Sequence, residues 1–164
     1  MTRSRYSIQS APTNTLPATR RRRRDIRRQR SELMGSIKSV DTTPELAVRR
    51  TVHKLGFRFR LHRTDLPGKP DLVFPGLRAA IFVNGCFWHQ HVKCGSRRTP
   101  KTRLSYWVPK LQRNVERDQR NLVALRNAGW AVLTVWECEI KRALNAVERK
   151  LHGWLLRQRR RPSV

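Results

Sequence analysis

Apolar and polar positions alternate along the middle of the chain in a way that separates helices from short strands. Residues 43–45 (Thr-Pro-Glu) are typical of a helix start, with a capping threonine, a proline at the first helical position and an acid in the first turn. An approximate apolar helix face follows, and Gly56 ends it. The residues of that face are Leu46, Val48, Val52 and Leu55.

Four strands and two further helices are predicted downstream. Residues 57–61 alternate strictly between apolar and basic side chains, as in a half-buried strand, and residues 71–74 and 79–83 are two more strands bounded by turns. The remaining segments are a helix over 104–127, a strand over 130–136 and a helix over 139–156, with Pro109 near the start of its helix or at a kink. The order α-β-β-β-α-β-α predicts a compact α/β domain over residues 31–157.

The charge of the chain is far larger than solubility requires. It contains 37 Lys and Arg against 11 Asp and Glu, a formal net charge of +26. Such an excess favours a polyanionic partner, because each neutralised phosphate releases condensed counterions. A generally adhesive basic protein of the ribosomal type is the simplest alternative.

Basic residues are concentrated at both ends of the chain. Residues 20–24 are an unbroken arginine run, and residues 1–30 hold few large apolar groups, so we expect a disordered basic arm there. An organelle transit peptide would also be rich in arginine, but no clear amphipathic stripe accompanies these. Residues 158–164 form a basic tail.

The cysteines indicate a metal site. Three is an odd number, which argues against a closed disulfide set and, with no signal peptide or membrane-length segment, indicates a reducing, cytoplasmic compartment. Cys86, His91 and Cys94 are spaced C-x4-H-x2-C, and Cys138, just past the fourth strand, is the candidate fourth ligand of a closed structural zinc site. The alternative is that the cysteines are simple buried hydrophobes. The zinc assignment leaves His89 available for proton transfer.

Several other side chains have both a chemical and a structural interpretation. Phe87 and Trp88, beside the cysteine cluster, suit stacking on a nucleic-acid base or packing in a core. Asp71 opens a strand, where it could bind Mg²⁺ together with a backbone carbonyl or could simply end a turn. Glu45 suits a helix start, and Asp118 suits an ordinary surface position.

Taken together, the motifs resemble those of the very short patch repair (Vsr) DNA mismatch endonucleases. The matching segments are residues 43–45, 66–71, 81–89, 100–102, 114–118 and 129–138. They occur in family order with family-like spacing over residues 31–157. The resemblance implies a restriction-endonuclease-like fold and Mg²⁺-dependent nicking of one strand, 5′ to the thymine of a T:G mismatch that arises when 5-methylcytosine deaminates.

The resemblance also implies roles for individual residues. Asp71 would be the central Mg²⁺ ligand beside the carbonyl of Val83, and Glu45 would hold a water molecule at the metal. His89 would act as general acid or base, supported by Asp118. A wedge of aromatic side chains would enter the base stack at the mismatch, with a methionine contributing from the other side. These DNA-binding residues are Phe87, Trp88, Trp107 and Met34.

The implied setting is a monomeric protein of the bacterial cytoplasm, associated with the nucleoid and linked in function to a cytosine-5 DNA methyltransferase and to mismatch-repair proteins. The chain departs from the family at Asn84, where some members carry a histidine near the metal; an amide can still bind water or phosphate. The arginine-rich arm exceeds the family core, and we assign it non-specific phosphate binding.

Two functions of other classes compete with the nuclease. One is a non-catalytic, zinc-stabilised DNA-binding protein on a nuclease-like fold, and the other is a basic RNA-binding accessory protein. The residues that distinguish them are Glu45, Asp71, His89 and Asp118. A protein that only binds has no need to keep all four, so the set favours the enzyme.

Overall fold

The computed structural model describes residues 18–35, 40–61, 63–95, 100 and 102–160. The chain divides into two compact units, Met1–Ser39 and Val40–Val164. The first contains helix α1, Ala18–Gly35. The second contains α2 (Thr43–Lys54), β1 (Leu72–Phe74), β2 (Ala79–Asn84), α3 (Leu104–Asn127), β3 (Ala131–Trp136), α4 (Glu137–Arg142) and α5 (Leu144–Arg159). The predicted α/β class is confirmed.

Strand β2 is the centre of a three-stranded mixed sheet of order β1-β2-β3. It pairs antiparallel with β1, with Leu72 opposite Ile81, and parallel with β3, from Ala79 opposite Ala131 to Asn84 opposite Trp136. Helix α3 lies in the long connection that parallel neighbours require. Strands β2 and β3 therefore end at the same edge of the sheet.

The hydrophobic core lies between this sheet and helices α2 and α5. Its buried members are Val48, Val52, Leu72, Phe74, Ala79, Ile81, Val135, Val147, Leu151 and Leu155. Val73 and Ala80, at the alternate strand positions, are also fully buried. Because successive strand side chains point to opposite faces, β1 and the start of β2 are covered on both sides.

Helix α2 begins as its sequence predicts, with the cap one residue earlier. Thr42 is the N-cap, its hydroxyl accepts a hydrogen bond from the backbone N–H of Glu45, and Pro44 lies in the first turn. The helix ends at Lys54, and Gly56 follows with a φ of +83°. That left-handed conformation is the one glycine adopts without steric cost.

The predicted strand over residues 57–61 is wrong. Only a single bridge forms there, in which Arg60 and Val73 exchange two backbone hydrogen bonds of 2.8 Å. Phe57 and Phe59 still pack against the core. The alternation of apolar and basic residues along this segment therefore indicates only that one side of it is buried. Packing of the two phenylalanines buries that side without a ladder of strand hydrogen bonds.

The predicted single helix over residues 139–156 is two helices. Helix α4 ends at Arg142, Ala143 adopts an extended conformation with φ −157° and ψ 79°, and α5 runs from Leu144 to Arg159. Alanine is the strongest helix former, so periodicity and propensity do not reveal the break. The predicted tail over 158–164 begins inside α5, and residues 161–164 lie outside the described part.

The expected disordered arm over residues 1–30 is corrected for residues 18–30, which belong to helix α1. Arginine is a good helix former, which favours a helix in this segment. Residues 1–17 lie outside the described residues. Within the described part of the chain, no helix has the length and apolar character needed to cross a bilayer.

The burial of Leu151 predicts how a substitution there changes the free energy of unfolding. Leu151 is fully buried in α5, whereas Leu144 of the same helix is 39% exposed. We expect Leu151→Ala to lower the free energy of unfolding by about 2–5 kcal/mol, because it removes buried apolar area and leaves a cavity. Leu144→Ala is the matched control and should change it by less than about 1 kcal/mol. If urea denaturation gave the same loss of stability for both variants, the assignment of Leu151 to the core would be wrong.

Candidate active site and metal cluster

The site is built on the turn that follows β2, residues 85–91, which we term the β2 turn. Backbone hydrogen bonds close it, from His89 N to Gly85 O (3.2 Å) and from His91 N to Cys86 O (3.0 Å). The side-chain amide of Gln90 donates to Phe87 O at 2.6 Å, and Gln90 itself has a φ of +49°. Helix α4 follows β3 at the same edge of the sheet.

The four predicted metal ligands converge at this edge. The ligand atoms of Cys86, His91, Cys94 and Cys138 all lie within 4.8 Å of one another. His91 Nδ1 is 3.8 Å from Cys86 Sγ and 3.3 Å from Cys138 Sγ. Zinc–sulfur bonds of about 2.3 Å and zinc–nitrogen bonds of about 2.0 Å at tetrahedral angles require separations of about 3.5–3.8 Å. The donor set fits a metal ion.

The electrostatics of the cluster also favour a cation. Burial, together with the neighbouring thiols of Cys138 and Cys94, raises the pKa of the Cys86 thiol to about 12. Burial lowers the pKa of His91, which favours the neutral imidazole that a metal requires. Without a cation, several thiolates close together in a buried site are unfavourable. A bound divalent cation offsets their repulsion and desolvation, and it deprotonates the thiols that coordinate it.

Neighbouring side chains orient the cluster. The indole of Trp136 stacks on His91, with ring centroids 4.0 Å apart and planes inclined by 5°. Glu139 accepts a hydrogen bond of 2.9 Å from the backbone N–H of Trp136. Burial would raise the pKa of Glu139, but that hydrogen bond and Lys150 outweigh it and lower the pKa. An ionised carboxylate therefore holds the end of β3 beside the cluster.

Asp71 lies immediately before β1 and contacts the end of β2. Its Oδ2 accepts a hydrogen bond of 2.7 Å from the backbone N–H of Val83. The N–H and C=O groups of one strand residue point to the same side of the strand, so the Val83 carbonyl faces the side on which Asp71 lies. A carboxylate and a backbone carbonyl on the same side of β2 would supply oxygen ligands, which Mg²⁺ prefers.

His89 and Asp118 form a hydrogen-bonded pair between the β2 turn and α3. His89 Nδ1 donates to Asp118 Oδ2, and Arg117 donates to Oδ1 at 3.2 Å. Burial would raise the pKa of Asp118, but these two partners outweigh it and the pKa is lowered. The carboxylate is therefore ionised and can only accept, which assigns the proton to Nδ1 of His89. In this tautomer Nε2 carries the lone pair of the ring and can accept a proton.

Glu45 is buried at the start of α2, with 4% of its surface exposed. Oε1 accepts from the Thr42 hydroxyl at 2.8 Å, and Oε2 accepts from Asp41 N at 3.0 Å and from Arg49 at 3.1 Å. The structure thus shows the helix-start role of this acid. A carboxylate accepts about four hydrogen bonds, so these three leave capacity for a water molecule.

The aromatic residues of the predicted wedge form one cluster outside the hydrophobic core. Phe87 lies edge-to-face with Trp88 at 5.0 Å and with Trp107 at 5.7 Å between ring centroids. All three are half-buried, so core packing does not account for them. Met34 lies on α1, in the other unit, and its side chain is outside the described part.

Three residues of this cluster were missed by the sequence analysis. Lys110 Nζ lies 5.2–5.7 Å from the rings of Tyr106, Trp107 and Trp88, and donates to the Tyr106 hydroxyl at 3.0 Å. Asn114 donates to the carbonyl of Trp88 at 3.3 Å. Tyr106, Lys110 and Asn114 are spaced i, i+4 and i+8 in a helix, and that periodicity would have placed them on one face.

Known proteins are similar to this chain in sequence and in fold. The family model described as "DNA mismatch endonuclease Vsr" matches residues 25–95. A type II nicking enzyme of Xanthomonas oryzae pv. oryzae, V.XorIIP, is 50% identical over 127 residues, which cover 77% of this chain and 92% of the relative. The Escherichia coli K12 DNA mismatch endonuclease Vsr is 38% identical over 130 residues, which cover 77% of this chain and 83% of the relative.

Among solved structures, the catalytic domain of the homing endonuclease I-Bth0305I is similar, with a TM-score of 0.51 and 21% identity. The similarity covers 72% of this chain and 98% of that domain, and it shows a shared fold. The expected restriction-endonuclease-like core is thereby confirmed. The family model and the two relatives together show that the chain belongs to the Vsr family of DNA mismatch endonucleases.

Proposed function

We propose that this member of the family nicks one strand of double-stranded DNA 5′ to the thymine of a T:G mismatch, in a reaction that depends on Mg²⁺. The observation that carries the proposal is the hydrogen-bonded pair of His89 and Asp118. An imidazole oriented by an ionised carboxylate serves proton transfer. A non-catalytic DNA-binding protein, the alternative, has no use for it.

The proposed division of labour follows from the contacts. Asp71 and the Val83 carbonyl would hold Mg²⁺, which supplies charge neutralisation at the phosphoryl group when bound. Hydrolysis of a phosphodiester requires a proton to leave the attacking water and another to reach the leaving oxygen. His89 would carry out one of these transfers through Nε2, with Asp118 holding the ring. Glu45 would use its remaining acceptor capacity to orient water.

Recognition would depend on the aromatic cluster. Phe87, Trp88 and Trp107 would enter the stack at the mismatch, with Met34 contributing from the other side of the duplex. A T:G wobble pair is less well stacked and paired than a Watson–Crick pair, so insertion there costs least; at any step it costs on the order of a few kcal/mol. Half-buried rings that already pack on one another support this role.

We further propose that the metal of the cysteine cluster is zinc, in a closed structural site of Cys86, His91, Cys94 and Cys138. The protein would act as a monomer in the bacterial cytoplasm on nucleoid DNA. Because the mismatch arises by deamination of 5-methylcytosine, its action would be linked to a cytosine-5 DNA methyltransferase and to mismatch-repair proteins.

Removal of the proposed Mg²⁺ ligand should abolish cutting and leave DNA binding in place. We expect Asp71→Asn to lower the nicking rate by at least about a hundredfold, because charge neutralisation at the phosphoryl group is lost. Asp65→Asn, at a carboxylate whose side chain is 55% exposed and pairs with Arg63, is the matched control and should nick normally. The assay uses otherwise identical duplexes with T:G, C:G or T:A at one position, in Mg²⁺ or EDTA.

Only the T:G duplex should be nicked, and only with Mg²⁺. Equal cutting of all three duplexes would remove the mismatch assignment. Normal cutting by Asp71→Asn would remove the site assignment.

The His89–Asp118 pair should behave as one unit. We expect His89→Ala to lower the single-turnover nicking rate by about 10²–10⁴-fold, as for loss of a general acid or base. Asp118→Asn should lower it less, and the double variant should be no slower than His89→Ala, because Asp118 acts through the ring that is already gone. Additive losses would show that the two residues act separately.

The cysteine cluster should retain about one zinc ion per chain, measured by metal analysis of the purified protein. His91→Asn should lose the metal and lower the melting temperature, because metal binding contributes directly to folding. His53→Asn, at an exposed histidine of α2, is the matched control and should change neither. Folded wild-type protein without zinc would contradict the assignment.

A further inference from the structure

Helix α1 carries a concentration of arginine that the proposed cutting reaction does not use. Its 18 residues include eight arginines and two acids, an excess of six positive charges from eight minus two. The run Arg20–Arg24 precedes residue 25, where the match to the family model begins. The arginine run therefore requires an explanation beyond the shared catalytic domain.

The helical conformation places six of these eight arginines on one side. At about 3.6 residues per turn, six arginine positions fall within less than half of the helix circumference, which we term the arginine face. They are positions 20, 23, 24, 27, 28 and 30. Arg21 and Arg22 fall on the other half, together with Asp25, Ile26 and Leu33. The arginine face itself contains no acid.

Position 34 lies at the end of the same face. Positions 20, 23, 27, 30 and 34 are separated by three, four, three and four residues, the spacing of a continuous stripe along one side of a helix. The stripe is about 21 Å long at 1.5 Å per residue. It ends at Met34, the residue assigned to the mismatch by the proposed function.

The concentrated positive charge of the face favours a polyanionic partner. Arg20, Arg23 and Arg24 are exposed, and arginines three and four residues apart repel one another in a helix. Double-stranded DNA carries about one negative charge per 1.7 Å along its axis, so a stripe of this length passes several phosphates. The guanidinium fork matches phosphate oxygens in pairs, which lysine does not.

We propose that the arginine face of α1 is a second DNA-binding surface, which binds the phosphate backbone of the duplex independently of any mismatch. It rests on the proposed function for the choice of DNA as the polyanion. Contacts of this kind do not distinguish sequences; they raise the affinity for all duplex DNA and allow the protein to move along it before a mismatch is found.

The test is binding of a fully matched, fluorescently labelled duplex in EDTA, where no strand is cut. The full chain is compared with the triple variant Arg20→Gln/Arg23→Gln/Arg24→Gln over a series of salt concentrations. We expect the variant to bind about tenfold or more weakly at low salt. The slope of log affinity against log salt should become shallower by about two to three, at about 0.9 for each phosphate that is no longer neutralised.

A triple variant at the other end of the chain gives the matched control. Arg157→Gln/Arg159→Gln/Arg160→Gln removes the same charge from exposed positions near the end of α5. It should change the slope by less than one. Equal slopes for the two triple variants would overturn the proposal, because net charge alone would then explain the binding. Tighter binding to duplex RNA of the same sequence would overturn the choice of DNA.

The result does not depend on catalysis. If no T:G nicking were detected, the proposed function would fail while the matched-duplex measurement still decided the role of α1.

Discussion

The parallel pairing of β2 with β3 is the constraint on which the site depends. Because Asn84 lies opposite Trp136, the segments that follow the two strands begin side by side at one edge of the sheet. Cys86 comes from one segment and Cys138 from the other, and their sulfurs join a cluster only 4.8 Å across. A shift of one residue in register moves a strand by about 3.3 Å and turns its side chains to the other face, which would separate the ligands.

The seven residues of the β2 turn include two members of the metal cluster as well as candidate DNA-binding and catalytic residues. Cys86 and His91 belong to the metal cluster, and His91 is also held by the stacked ring of Trp136. Phe87, Trp88 and His89 lie between them in the chain. A metal ion bound by Cys86 and His91 would leave the turn little further freedom to lose on binding a substrate, so less of the interaction energy would be spent on ordering it. A metal ion bound at the cluster would therefore limit the movement of both the aromatic rings and the imidazole.

Two partly buried carboxylates in this basic chain, those of Asp118 and Glu139, are kept ionised by specific partners. Asp118 and Glu139 are both partly buried, which opposes ionisation, yet hydrogen bonds and cations lower the pKa of each. A group whose pKa is lower in the folded state stabilises that state above its unfolded pKa, and the contribution is lost as the pH falls through the folded value. At neutral pH both acids are charged, Asp118 holds His89, and Glu139 holds the end of β3.

Short sequence motifs by themselves determined most of the helices and strands and the set of candidate site residues. The Thr-Pro-Glu start of α2, the apolar run of β2 and the C-x4-H-x2-C spacing each act over a few residues, which a sequence displays directly. The bridge at Arg60 in place of a strand, the break at Ala143 and the contact between His89 and Asp118, 29 residues apart, were decided by the tertiary structure. Strand pairing and helix packing depend on which surfaces meet in the folded chain. The periodicity of apolar residues indicates only that a surface is buried, and not what covers it.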